Sequence, residues 1–353
     1  MPALHRRRSV RLPGQERVKA ASGFESGRQA DKALAASAVR KALAAAGLER
    51  AEQVLLLLSR EFAREPQPAV LAAANAAGCL QIGGGTASGL MTEAGWLPDQ
   101  PAAAALVLGE LPPAAPHETP LLSLSGCAAL PYDWRGPPAR VGLLEAHAAT
   151  WSQSRPGGPE GVSIALPGLR CQMLRADGLH PLEGALPVEQ CAGYELRRVA
   201  GLPAAESLRR ALPAHWRAAP PLHQIAVIVA DDAPALGILA AHADGSLTLS
   251  APLAAGQPIT WAMREPLAAE QEMRRLLAAA DGPAPAFALM FSCMGRGPLF
   301  YGGEDRDLLA FRERHPGAPL LGAYGSGQIA PTPDGNRLFQ NAALTLLYRS
   351  HDV

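Results

Sequence analysis

Two apolar runs in this chain break into glycine and serine in the same way: "QIGGGTASGL" at 81–90 and "LLGAYGSGQI" at 320–329. Gly84, Ser88 and Gly89 of the first align with Gly322, Ser326 and Gly327 of the second at identical spacing. The flanks agree as well. Upstream, a strand at 54–58 ends at Ser59, a helix from near Pro68 runs to Gly78, a second strand (79–83) meets the glycines, and another apolar strand follows at 102–108. Downstream, a strand at 287–291 ends at Ser292, a charged helix runs to His315, a second strand (319–321) meets the glycines, and "NAALTLLY" follows. One order repeated at one spacing predicts an internal duplication. The expected fold class is therefore α/β: two related halves built on mixed, largely parallel sheets flanked by helices.

Helix ends carry local signals. In "DKALAASAVRKALAAAG", Leu34, Ala38, Ala42 and Ala45 share a stripe, and Gly47 is placed to stop the helix. In "GEDRDLLAFRERHPG", Glu304, Asp305 and Asp307 lie at the start, Arg312 and Arg314 at the end, and Pro316 terminates, an order that suits the helix dipole. The 353 residues exceed what one core usually sustains, and the Pro/Gly-rich breaks at 111–120, 154–161 and 212–221 divide the chain. Taking the last break as the boundary gives a disordered basic arm (1–22), a first domain (23–215) and a second (220–350).

The 32 basic residues balance 32 acidic ones, so no overall field points to nucleic acid or an anionic membrane as partner. Arg6, Arg7, Arg8 and Arg11 read as a solvated tail, and no apolar h-region follows them. The apolar runs are too short to cross a bilayer, so the expectation is a cytoplasmic protein. The cysteines Cys79, Cys127, Cys171, Cys191 and Cys293 are odd in number and lack C-x-x-C spacing, which disfavours a disulfide framework and a zinc knuckle.

A strand–helix–strand unit of this length makes two parallel strands joined by a right-handed crossover, and ligands of open α/β sheets bind beyond the carboxyl ends. The turn 292–297 should then neighbour the loop 322–327, and the turn 59–62 the loop 84–89. Glycine permits close approach of backbone N–H groups, serine adds a hydroxyl, Arg296 offers a fork for a carboxylate, and Tyr324 offers a flat wall with a polar tip. The candidate ligand-binding residues are Ser292, Cys293, Arg296, Gly322, Tyr324, Ser326, Gly327 and Gln328, with Gly84, Thr86, Ser88 and Gly89 in the first copy. The plainer alternative is that the glycines only make turns, Arg296 joins a surface ion pair and Cys293 packs. Gly84 and Gly89 have Walker-like spacing, but Leu90 and Met91 follow where Lys and Ser/Thr are needed; neither loop gives G-x-G-x-x-G. No catalytic or metal-ligating set is assigned. Asp231 and Asp232 read as a turn or cap, and Trp96, Trp134 and Trp151 receive no role.

The segment 288–348, with "FSCMGRG" and "GAYGSG", closely resembles the carboxyl-terminal domain of the FIST family. "GGTASGLMTEAGWLPDQPAAAALVLG" (84–109) is similar to the matching part of its amino-terminal domain, and 193–213 also resembles the family pattern. The resemblance implies a sensory module of signal transduction that binds small ligands such as amino acids, with output through a separate partner protein. It also implies a haem-containing nitric-oxide sensor as an alternative, although no cofactor is otherwise expected. Many relatives have Glu where this chain has Gln328, so the counter-ion for a ligand ammonium is missing at that position. A third reading makes Cys293 a nucleophile activated by Arg296, with His223, His242 or His315 as candidate base.

Overall fold

A computed structural model describes residues 18–112 and 119–350. The first half comprises β1 (Lys19–Ser26), α1 (Lys32–Ala46), β2 (Gln53–Ser59), α2 (Gln67–Ala77), β3 (Ile82–Ala87), β4 (Gly89–Thr92), β5 (Gly95–Pro98) and β6 (Ala102–Gly109). Short strands follow as β7 (Leu121–Ser125), β8 (Arg140–Leu144), β9 (Thr150–Ser152), β10 (Arg155–Pro156) and β11 (Val162–Ile164), and then the longer β12 (Leu169–Ala176). After an inserted module come α3 (Pro266–Ala279), β13 (Phe287–Cys293), α4 (Arg306–Arg314), β14 (Leu320–Gly325), β15 (Gly327–Thr332), β16 (Gly335–Phe339) and β17 (Ala343–Ser350).

Helix boundaries follow the local signals. Asp31 caps α1 by accepting from the Ala33 N–H, and Gly47 closes it in the left-handed region at φ 65°. Asp305 caps α4 by accepting from Leu308 N–H at 2.8 Å.

The mixed α/β class holds, and the halves repeat each other. The first sheet runs β1-β6-β2-β3-β9-β10 and the second β12-β17-β13-β14-β4-β5. In each, a parallel pair (β2/β3, β13/β14) is flanked by an antiparallel strand (β6, β17). A third sheet, β11-β7-β8-β15-β16, adds one more parallel pair, β7/β8. The remaining described pairings are antiparallel, so the parallel share is smaller than expected: only the strand–helix–strand units and the β7–β8 connection cross over, and every other connection among these three sheets is a hairpin or a change of sheet.

Strand alternation shows the layering. Leu55 and Leu57 of β2 share a core with Phe287, Leu289 and Phe291 of β13, whereas Val54, Leu56 and Leu58 pack on α1 and α2. Ala288 and Met290 pack with α3 and α4. The two sheets thus face each other across a common core with helices outside. Burial on both faces explains why these strands are continuous apolar runs.

Three expectations need correction. First, the glycine stretches are not loops: Gly84, Gly85 and Thr86 lie inside β3, Gly322 and Tyr324 inside β14, and all are buried. A Cβ on Gly84 would sit 1.7 Å from Leu56 O, and one on Gly322 would sit 2.3 Å from Met290 O, so glycine is required by the neighbouring parallel strand. Second, the 212–221 break separates no sheets. Strands between Leu179 and Arg264, on both sides of it, form one antiparallel sheet whose pairing closes into a ring around Val199, Leu247 and Trp261. Third, of the expected disordered arm, residues 1–17 lie outside the described residues, while Lys19–Ser22 pair with β6.

Candidate functional site

Each glycine stretch changes sheet at its serine. Ser88 is the single residue between β3 and β4, and β4 joins the second half's sheet beside β14; Ser326 stands between β14 and β15, and β15 joins β8. The Ser88 N–H donates to Tyr324 O at 3.2 Å and the Ser326 N–H to Leu144 O at 3.0 Å, which fixes the two crossovers side by side.

Both serines converge on one carboxylate. Ser88 Oγ donates to Glu145 Oε1 at 2.5 Å, and Ser326 Oγ donates to Glu145 Oε2 at 2.7 Å. Glu145 directly follows β8, and its N–H donates to Ser125 O at 3.0 Å. Ser326 is exposed, and Ser88 and Glu145 are half-buried. A carboxylate has about four lone-pair sites, so the two hydroxyls leave capacity for a further donor. The cavity behind it, lined by Gly85, Thr86, Ser125 and Thr150, measures only about 10 Å³, room for about one water. Glu145 therefore meets solvent on the side of the exposed Ser326.

Cys293 lies at the same edge, its Sγ 4.0 Å from both Ser326 O and Asn341 Oδ1. Arg264, at the end of the inserted sheet, is within electrostatic reach of Cys293. Its Nε is buried without a partner, and Nη1 makes only a 3.5 Å contact with His223 O. Among the described residues no carboxylate pairs with it. Burial lowers its pKa from the usual guanidinium range.

The other expected residues divide into structural roles. Arg296 is not open to a ligand: it is 2% exposed, and Asp307 holds it bidentately, Nε to Oδ2 at 2.8 Å and Nη2 to Oδ1 at 3.1 Å. Burial alone would lower its pKa, but the Asp307 charge and hydrogen bonds raise it above its usual range. Tyr301 donates to Asp307 Oδ1 at 3.0 Å, and Tyr324 donates its hydroxyl to Asp305 Oδ2, so Tyr324 is not a pocket wall. Burial, and then the Asp307 charge, push the Asp305 carboxyl up to about 6. Ser292 and Gln328 are fully buried, and the Ser292 hydroxyl and both polar atoms of the Gln328 amide have no partner among the described residues. Thr86 Oγ1 accepts from Ala149 N–H at 3.0 Å. Gly89 pairs with Tyr324 and Pro98, and Gly327 with Leu144. The structure therefore brings Ser88, Ser326 and the buried Cys293 to one edge, where Ser326 is the exposed one of the three, and commits the rest to packing, hydrogen bonding or ion pairing.

Sequence reasoning missed Glu145 and Arg264. The only available signal was a single acid directly after "VGLL" and a single base directly after "ITWAM".

Among the described residues no group of three or more His, Cys, Asp or Glu could hold a metal ion, and no helix is long and apolar enough to cross a membrane. One open groove, about 620 Å³, is lined by Leu179, His180, Pro181, Ala268, Gln271, Arg274 and Arg275. Its one histidine, His180, is exposed and shares the groove with Gln271, Arg274 and Arg275, a polar lining that does not fit a haem. Among the described residues no histidine is in hydrogen-bond reach of Cys293.

The FIST C domain model matches residues 204–331, spanning part of the inserted sheet and the chain through β15. FIST C domains form a class of sensory domains. Residues 204–331 of this chain therefore match a FIST C domain. It is 26% identical over 209 residues to uncharacterized proteins of Mycobacterium bovis and Mycobacterium tuberculosis, covering 53% of this chain and 53% of each relative. A further uncharacterized Mycobacterium tuberculosis protein is 25% identical over 203 residues at the same coverage. The chain spans about half the length of the curated relatives it matches.

Proposed function

We propose that the protein is a non-enzymatic small-ligand sensor whose ligand carries an ammonium group bound at the Ser88–Glu145–Ser326 seam. The observation that carries this reading is a half-buried carboxylate held by one hydroxyl from each half, with an open side toward solvent. Glu145 supplies the negative charge that Gln328 does not, from a different strand. Arg264, a guanidinium without a carboxylate partner at the same edge, suits the opposite charge of a zwitterion. An amino acid has both groups. Because the seam joins the two halves and Arg264 belongs to the inserted sheet, occupancy favours one relative placement of these parts over others, which is what a sensor needs. The signal then passes to a separate output protein.

The test is isothermal titration of the purified chain against amino acids, the matching amines and the matching carboxylates. Amino acids should bind most tightly, Glu145→Gln should weaken amines and amino acids, and Arg264→Gln should weaken carboxylates and amino acids. Folded protein that binds none of the three classes removes the reading.

A further inference from the structure

A second charged cluster lies at the opposite, amino edge of the second sheet, on its helix-facing side. Arg170 of β12 and Arg349 of β17 are direct cross-strand partners. Such partners place like charges on one face within several ångströms, an arrangement that destabilises a sheet unless an anion compensates. Arg314, the last residue of α4, and His315, which follows it, join them from the helix layer.

The chain only partly satisfies this group. The Arg349 Nε donates to Pro283 O at 2.7 Å and Nη1 to Gln172 Oε1 at 2.9 Å, while Arg314 Nε reaches Leu277 O at 3.3 Å. These acceptors are neutral. Arg349 Nη2 and His315 Nε2 are buried without a partner among the described residues, on side chains that are themselves 8% and 6% exposed. No carboxylate of the described residues pairs with Arg170, Arg314 or Arg349; the adjacent Asp281 makes no ion pair with them. Burial, then the charges of Arg170 and Arg314, lower the Arg349 pKa; burial, then Arg314 and Arg349, lower that of His315. Three guanidiniums without a counter-charge among the described residues form a cradle for an anion with several acceptor oxygens, because each fork donates to two.

We infer that Arg170, Arg314, Arg349 and the His315 ring form a binding site for a tetrahedral oxyanion of the phosphate class. Arg349 and His315 form its floor, and the exposed Arg170 and Arg314 close on the anion from the sides. The site lies at the edge opposite the Glu145 seam and does not depend on the reading of that seam.

Inorganic phosphate is the probe, titrated into the full chain by calorimetry and thermal unfolding against chloride at matched ionic strength. Phosphate should raise Tm where chloride does not, since a ligand of the native state stabilises it by mass action. Arg170→Gln and Arg314→Gln lie on exposed side chains, so the folded state survives, and each should weaken phosphate binding about tenfold or more. The same titration on the Asp352→Asn variant of the full chain tests that carboxylate as a rival occupant: unchanged or tighter phosphate binding supports the site, and loss of phosphate binding overturns it. Equal responses to phosphate and chloride, or phosphate binding undiminished in the Arg170→Gln/Arg314→Gln double variant, overturn it.

Discussion

The two halves use one backbone frame and end it with opposite chemistry. The register pairs Leu56 with Gly84 and Met290 with Gly322, so Phe62 stands in the first half where Arg296 stands in the second, and Thr86 stands where Tyr324 stands. Phe62 is buried among the alanines of α1 and α2, beside an open groove of about 440 Å³ lined by Asp31, Lys32, Glu61, Arg64 and Glu65. Arg296 is buried against Asp307, with Glu272 at 3.9 Å and Asp305, Tyr301 and Tyr324 in the same network. The difference teaches that a strand end can be sealed either by an apolar wedge or by an ion pair. Only the second makes each residue depend on a specific partner, because an uncompensated buried charge is costly.

The comparison breaks most clearly at these two residues. Asp307→Ala leaves Arg296 unpaired and should cost about 3–5 kcal/mol, whereas Phe62→Leu should cost about 1.5 kcal/mol or less; urea denaturation measures both. Equal losses would mean that the two ends are sealed alike. The shared frame is tested next by Gly84→Ala and Gly322→Ala, which should each lose about 3 kcal/mol, since both place a Cβ against the carbonyl of the adjacent parallel strand. A benign substitution in one half alone would dissolve the equivalence.

A smaller effect sharpens the contrast in pH dependence. Asp305 is raised from 3.8 to about 6 in the folded protein, so the native state binds its proton more tightly than the unfolded state does. Its favourable contribution is complete below about pH 4 and is lost as pH rises to about 6, costing about 3 kcal/mol by neutrality. Glu272 and Asp177, raised mainly by burial, act in the same direction. Thermal unfolding from pH 4 to 7 should show this decline, and Asp305→Asn, which retains a helix cap, should flatten it. The smallest stability change belongs to the seam: Glu145→Gln keeps an acceptor for one serine and should alter stability by less than about 1 kcal/mol, while amine binding falls about tenfold or more. A large loss of stability with no change in binding would make Glu145 a strut between the halves.

Local chemistry was legible wherever it acts locally. Asp31, Gly47 and Gly78 mark helix ends because caps are made by residues a few positions away. The duplication was legible because glycine and serine recur at one spacing. The glycines themselves were misread as loops, since their cause is the carbonyl of Leu56 or Met290 in another strand. Arg296 and Asp307 both stood in plain view, eleven positions apart, yet their pairing depends on α4 folding back over the end of β13. Glu145 had no pattern around it and acquires its place only when both serines arrive.

The sequence by itself determined the elements, their repetition and the amphipathic layering, because capping, periodicity and burial are written residue by residue along the chain. Tertiary structure alone decided which charged groups are spent on one another and which remain open. Coulombic and hydrogen-bond partners are chosen by distance in space, and strands that change sheet at a single serine bring together groups that the sequence keeps far apart.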